Sequence, residues 1–273
     1  MSLQLFSRSV AVPCLIALLS LNVALAQPAT PAVPFEPRVG QQGKDVIWVP
    51  TPQTLVDKMM EMAVVTPADI VIDLGSGDGR TVITAAKRGA KAMGIEYNPD
   101  MVELSKLNAA KEGVSDKATF EKADLFESDF SHATVITMFL LPDINLRLRP
   151  KILDLKPGTR IVSNSFDMGD WTPDEVAQAG EGCTSYCRAN FWIVPAKVAG
   201  TWKMPQGELT LEQTYQKLTG TLKAGNTSAP ISDAKMRGDQ ITFTVNGTTY
   251  TGKVNGNSIE GNVITSTFKA TKG

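Results

Sequence analysis

The ten residues Val71 to Arg80, V-I-D-L-G-S-G-D-G-R, restrict the fold more than any other stretch of this chain. A short apolar run that stops at three closely spaced glycines and passes into a helical pattern reads as a buried strand, a tight turn and a helix. A strand that is apolar on both faces belongs in a sheet with helices packed on either side. The same alternation recurs downstream: strands are expected at residues 70–72, 92–95, 119–122, 134–140 and 160–164, with helices between them over about 80–87, from the Asn98-Pro99 cap to Gly113, and over 144–155. An earlier helix follows Thr51-Pro52, with Thr51 as N-cap and proline at the first helical position. Residues 188–195 read as a last strand beside the others. The expected fold class is α/β, a doubly wound Rossmann-like parallel sheet with right-handed crossovers over residues 46–195.

Beyond Gly200 the helical signals fade and β-rich runs at 218–222, 241–245, 248–254 and 258–263 alternate with turns. Asn246-Gly247 and Asn255-Gly256-Asn257 are hairpin signals that pair adjacent runs antiparallel. Residues 196–273 are therefore expected to form a small antiparallel β-meander domain. At the other end, an apolar run over 10–21 with only Arg8 ahead of it and Ala24-Leu25-Ala26 behind it has the pattern of a cleavable signal peptide. The run is also long enough to serve, uncleaved, as a marginal membrane anchor. Residues 27–45 read as a Pro/Ala-rich linker.

Lys and Arg number 27 against 28 Asp and Glu, so the chain lacks the basic footprint of a nucleic-acid binder. No metal is expected, because Cys183, Cys187 and the single histidine, His132, cannot complete a tetrahedral site. His132 precedes the fourth strand, at the amino edge of the sheet, and reads as a structural or surface residue. Cys183 and Cys187 are either ordinary thiols or a local disulfide. On an extended strand they would lie about 13 Å apart, so pairing requires residues 184–186 to turn.

In an open α/β sheet a ligand sits at the carboxyl ends of the strands, where the order reverses. The turn here is G-x-G-x-G through Gly75, Gly77 and Gly79, and Arg80 stands where a dinucleotide fold wants its last glycine. Asp73, at the end of the first strand, would repel a pyrophosphate and suit an ammonium group. Glu96 ends the second strand, where a carboxylate can accept both ribose hydroxyls. Asp124, past the third strand, is placed to accept from an exocyclic adenine amine. An amino-acid end, a ribose and an adenine without phosphate describe S-adenosylmethionine, and an NAD(P) oxidoreductase is disfavoured.

The segments V-I-D-L-G-S-G-D-G-R, G-I-E-Y-N-P and A-D-L-F, in that order and spacing, resemble the cofactor motifs of class I, seven-β-strand S-adenosylmethionine-dependent methyltransferases. W-V-P-T-P, T-M-F-L-L-P and N-L-R-L-R-P are similar to the protein-lysine methyltransferases that act on the ATP synthase c-subunit and the adenine nucleotide translocase. The resemblance covers about residues 46–195. It implies S-adenosyl-L-methionine as cofactor, held by Asp73, Gly75, Ser76, Gly77, Glu96, Asp124 and Leu125, and a lysine in a protein as methyl acceptor, with membrane-associated proteins among the candidates. The stretch after the fourth strand is where such enzymes contact substrate, so Pro142 is expected as a pocket wall, with Asp143 or Asn145 orienting the amine. Asp143 could instead cap the following helix. Residues 166–171 are a second candidate for the pocket rim, or else a surface loop with a packed Trp171. The leader favours export to the periplasm, the alternative being an anchored enzyme whose catalytic domain faces the cytosol. A rival of another class is an exported binding protein that uses the methyltransferase fold as a scaffold and the β-domain for recognition.

Overall fold

The computed structural model describes residues 1–2, 35–263 and 266–273, so residues 3–26 of the expected leader and 27–34 of the expected linker lie outside the described residues. Phe35–Gly273 form one compact unit. Its first part contains α1 (Gln53–Met62), β1 (Ile70–Leu74), α2 (Arg80–Lys87), β2 (Lys91–Glu96), α3 (Pro99–Lys111), β3 (Ala118–Lys122), β4 (Val135–Met138), α4 (Pro142–Leu153), β5 (Arg160–Asn164), β6 (Glu175–Gln178) and β7 (Arg188–Ile193). The sheet runs β3-β2-β1-β4-β5-β7-β6. β1 to β5 are parallel, whereas β7 pairs antiparallel with β5 and β6 with β7.

Alternation along β1 shows why the central strands are apolar throughout. Val71 packs into one buried cluster with Leu55, Met59, Val82 and Val102, and Ile72 into a second on the opposite face with Ile136, Ile144, Leu148 and Trp192. β1 lies between β2 and β4, so the order reverses there and a crevice opens beyond the ends of β1 and β4. The register sets Asp73 between Gly94 of β2 and Thr137 of β4.

Two details depart from the sequence expectation. Helix α1 begins at Gln53 with Pro52 in the capping position and no side-chain cap. The Thr51 hydroxyl instead accepts a hydrogen bond from Asn164 Nδ2 at 3.2 Å, tying the segment before α1 to the end of β5. Strand β6 gave no apolar signal because its residues are mostly exposed at the sheet edge.

The C-terminal part comprises β8 (Gly200–Met204), β9 (Gly207–Thr214), β10 (Lys217–Ala224), β11 (Thr227–Pro230), β12 (Ser232–Arg237), β13 (Gln240–Val245), β14 (Thr248–Asn255), β15 (Ser258–Val263) and β16 (Ser266–Lys272). The strands run antiparallel in the order β11-β10-β12-β13-β14-β15-β16-β8-β9, and β9 pairs again with β10 over seven residue pairs from Lys217↔Thr214 to Lys223↔Glu208. The meander thus closes into a small barrel, which among the described residues leaves only the four-residue β11 with an unpaired edge. Trp202, Leu209, Ile241, Phe243 and Ile259 fill its core. The barrel is fastened to the first part through Tyr215, whose ring stacks on Trp171 with centroids 5.8 Å apart and whose hydroxyl donates to Asp170 at 3.0 Å. Tyr215→Ala is expected to destabilise this junction by about 1–2 kcal/mol, and differential scanning calorimetry would show the barrel transition separating from the main one.

Candidate cofactor and acceptor site

At the carboxyl end of β1 the chain turns through Gly75, Gly77 and Gly79, all at positive φ, before α2 begins. Gly77 is required twice over. Its φ is 55°, and a Cβ there would stand 2.6 Å from Nε1 of Trp48. The turn is fixed from outside by Gly75 N and Ser76 N, which both donate to the Ile95 carbonyl, and by Ser105, whose hydroxyl donates to the Gly77 carbonyl at 2.8 Å. Arg80 is clamped onto Asp78 by its guanidinium and donates to the Thr51 carbonyl at 2.9 Å.

The carboxylate of Glu96 is held by two backbone donors, Gly77 N at 3.0 Å and Asn98 N at 2.9 Å. The second is available because Asn98 caps α3 through Oδ1, which accepts from Asp100 N at 2.9 Å and bends the chain after β2. Asp73 is buried, and Thr137 Oγ1 donates to it at 2.6 Å. Burial pushes its carboxyl up to about 7; the hydroxyl of Thr137 opposes the rise and the charges of Glu96 and Asp78 reinforce it. Asp124 accepts from Phe126 N at 2.9 Å and pairs with Lys44, and these bonds hold its carboxyl below the usual range.

These groups face a cavity of about 1030 Å³, its open mouth included. Asp73, Gly75, Ser76, Gly77, Glu96, Asp124 and Leu125 all line it. The end of the segment expected as linker lines it too: residues 41–45, continued by 46–48, form a strap closed by a bridge between Gln42 and Ile47, which lays Trp48 against the glycine turn and Lys44 over the ring of Tyr97. Lys44 stood in no motif that could have announced this, whereas Tyr97 and Trp48 stood in G-I-E-Y-N-P and W-V-P-T-P, neither of which assigned them a role.

The expected acceptor residues are placed otherwise. Pro142 and Asp143 are exposed in the first turn of α4, and Asp143 makes no capping bond. Asn145 is fully buried but turned away, its Nδ2 donating to the Asp167 carbonyl at 2.9 Å. A helix rotates each residue about 100°, so the inward direction falls to Ile144, which lines the cavity beside Phe139 and Leu140. Within residues 166–171, Trp171 is packed in the core against Trp192 and Tyr215, whereas Phe166 faces Phe139 at 6.1 Å. The two cysteines form a disulfide with Cα atoms 5.8 Å apart, and Tyr186 at φ 54° supplies the turn that brings them together. His132 is exposed at the amino end of β4.

A doubly wound sheet with a glycine turn and an acid at the end of β2 defines a nucleoside-binding site, and known proteins specify it further. The family model of the ANTKMT methyltransferase domain matches residues 73–175. A protein-lysine N-methyltransferase of Saccharolobus islandicus is 47% identical over 140 residues, which cover 50% of this chain and 87% of that protein. The human lysine N-methyltransferase of the ATP synthase c-subunit is 41% identical over 113 residues, 41% of this chain, and the match spans about half of that protein, 48%. The crystal structure of an RNA methyltransferase from Salinibacter ruber in complex with S-adenosyl-L-homocysteine is 46% identical, with a TM-score of 0.51 over 55% of this chain and 96% of that one. The chain belongs to the family of S-adenosylmethionine-dependent methyltransferases that includes the Saccharolobus protein-lysine N-methyltransferase. It is an enzyme whose methyl donor is S-adenosylmethionine, and the rival reading as an exported binding protein is not favoured.

Proposed function

We propose that this enzyme N-methylates lysine side chains of a protein substrate, with Asp73, Gly75, Ser76, Gly77, Glu96, Asp124 and Leu125 holding S-adenosylmethionine. The observation that carries the cofactor assignment is the Glu96 carboxylate, fixed by the N–H groups of Gly77 and Asn98 at the lip of the glycine turn. A carboxylate so held keeps lone pairs for two vicinal hydroxyls. Asp73 offers a buried anion at the end of β1 for the ammonium, and Ser76 adds a buried hydroxyl without a protein partner. Asp124 meets the adenine amine by exchanging its ion pair with the half-exposed Lys44, which costs little at this exposure.

The bound cofactor supplies a methyl group activated on a sulfonium. The protein's own part is orientation and exclusion of water. Phe139, Leu140 and Ile144 make the acceptor side of the cavity apolar, which favours the neutral, nucleophilic form of an amine. The names of the Saccharolobus and human relatives support lysine as acceptor. The near-zero net charge argues against a nucleic-acid substrate. Export of the chain is supported by the leader pattern and by the Cys183–Cys187 cross-link, which is stable in oxidising compartments; retention of the leader would instead hold the enzyme at a membrane.

The test is transfer of labelled methyl from S-adenosylmethionine by the full chain to a cell extract separated into protein and RNA. Label is expected in protein and, after hydrolysis, in methyl-lysine. Label confined to RNA would overturn the lysine reading.

A further inference from the structure

Three aromatic rings from separate parts of the chain meet beside the cavity. Phe139 follows β4 and lines the cavity itself; Phe166 follows β5; Tyr186 stands in the loop between β6 and β7. Their centroids form a triangle with sides of 6.1, 5.1 and 6.4 Å. Phe139 and Phe166 are inclined by only 21° and make one wall, and Tyr186, at 61° and 54° to them, makes a second. Such a cluster would be ordinary in a core, but here no ring is fully covered and Tyr186 is 43% exposed.

The backbone beneath two of the rings is held more firmly than an ordinary surface loop. Ser165 has φ 58°, an unfavourable conformation for a residue with a Cβ. The carbonyl that follows, of Phe166, accepts from Ser163 Oγ at 2.7 Å and is approached by Asn190 Nδ2 at 3.4 Å and Asn145 Nδ2 at 3.5 Å. All three of these side chains are fully buried. Tyr186 is likewise at positive φ, within the five-residue loop closed by Cys183–Cys187. Uncommon backbone conformations that the surroundings over-determine mark sites where a side chain must be presented in one direction.

Resting on the reading of the enzyme as a lysine methyltransferase, we propose that Phe139, Phe166 and Tyr186 form an aromatic corner at the entrance to the acceptor side of the cavity, which captures the alkylammonium end of the incoming lysine and of its methylated forms before the amine gives its proton to water and enters the apolar cavity as the neutral nucleophile. A cation seated over the triangle can lie within the reach of about 6 Å at which a ring attracts it. The lysine stem would lie against Phe139, which leads to the cofactor cavity. Asn145 then acts as a positioning residue, through the loop that carries Phe166, and the disulfide acts through Tyr186.

The experiment uses the full chain saturated with S-adenosyl-L-homocysteine and two probes, Nα-acetyl-Nε-trimethyl-lysine amide and the uncharged isostere in which carbon replaces the side-chain nitrogen. Binding is followed by calorimetry or by NMR shifts of the probe. The charged probe is expected to bind about tenfold more tightly than the isostere, a preference of about 1.4 kcal/mol. Tyr186→Ala and Phe166→Ala should each remove most of that preference, Tyr186→Phe should keep it, and Cys183→Ser with Cys187→Ser should weaken it. Unchanged affinity for S-adenosyl-L-homocysteine shows that each variant is folded. Equal binding of the two probes by the wild-type chain, or alanine variants that retain the preference, would overturn the subsite. Failure of the wild-type chain to bind S-adenosyl-L-homocysteine would overturn the methyltransferase reading beneath it, a result separable from the other two.

Discussion

Replacing Glu96 by alanine is expected to weaken binding of S-adenosyl-L-homocysteine about 100-fold. Hydrogen bonds to a charged group contribute about 1.5–3 kcal/mol each, and the substitution deletes the acceptor for two ribose hydroxyls, so a loss of about 3 kcal/mol corresponds to this factor. The variant also frees the N–H groups of Gly77 and Asn98 that now hold the carboxylate, loosening the turn that faces the ligand. Glu96→Gln keeps one oxygen acceptor and should fall between, near a tenfold loss. Equilibrium titration of the three proteins checks the order, and an unaffected Glu96→Ala protein would remove Glu96 from the site.

A second large effect is expected from pH. With its carboxyl pushed up to about 7 by burial, Asp73 is mostly protonated below that value in the free enzyme. A ligand that carries positive charge near Asp73 favours the carboxylate, so binding releases a proton below pH 7, and affinity for S-adenosylmethionine should fall about tenfold per pH unit between pH 7 and 5. Asp73→Asn should bind weakly and without that slope. The same shift has the opposite consequence for the free protein. A carboxyl raised by folding leaves stability intact below the unfolded pKa of about 4 and erodes it as pH rises toward 7, so Asp73→Asn should raise the melting temperature of the ligand-free enzyme at pH 8. Calorimetry in buffers of different ionisation enthalpy measures the proton release directly.

The parts of this molecule that were legible in the sequence are those whose cause is local. β1, β4 and β5 announce themselves as apolar runs because both faces of the sheet are covered there, and the glycine turn does so because Gly77 permits a backbone conformation and an approach that a side chain would block. The acids at the strand ends follow from strand length and spacing. What the sequence left hidden depends on contacts far apart in the chain. The first part of the strap, residues 41–45, reads as linker because its polar residues find partners only far along the chain, as Lys44 does on Asp124. The barrel reads as an open meander because its closure rests on pairings between strands that are not consecutive, β16 with β8 and β10 with β12, which no hairpin motif encodes. Pro142, Asp143 and Asn145 lie at the expected end of the sheet, but the start of α4 at Pro142 fixes a rotation that points Ile144 inward instead. Phe166 and Tyr186 come together with Phe139 only through the turn after β5 and the disulfide loop.

The barrel gives the chain a second, separately packed core that docks through Tyr215, Arg237 and Lys197. Arg237 pairs with Glu175 on β6 and Lys197 with Asp154 just past α4, so the barrel rests on the side of the sheet away from β1 and β2. The cofactor cavity is lined entirely by residues that precede the barrel.

Titrating S-adenosyl-L-homocysteine and, separately, NAD into the full chain by calorimetry tests the central claim most directly. The geometry of Asp73, Glu96 and Asp124 predicts micromolar binding of S-adenosyl-L-homocysteine and none of NAD. Binding of NAD in preference, or no nucleoside binding by a protein shown to be folded, would contradict it.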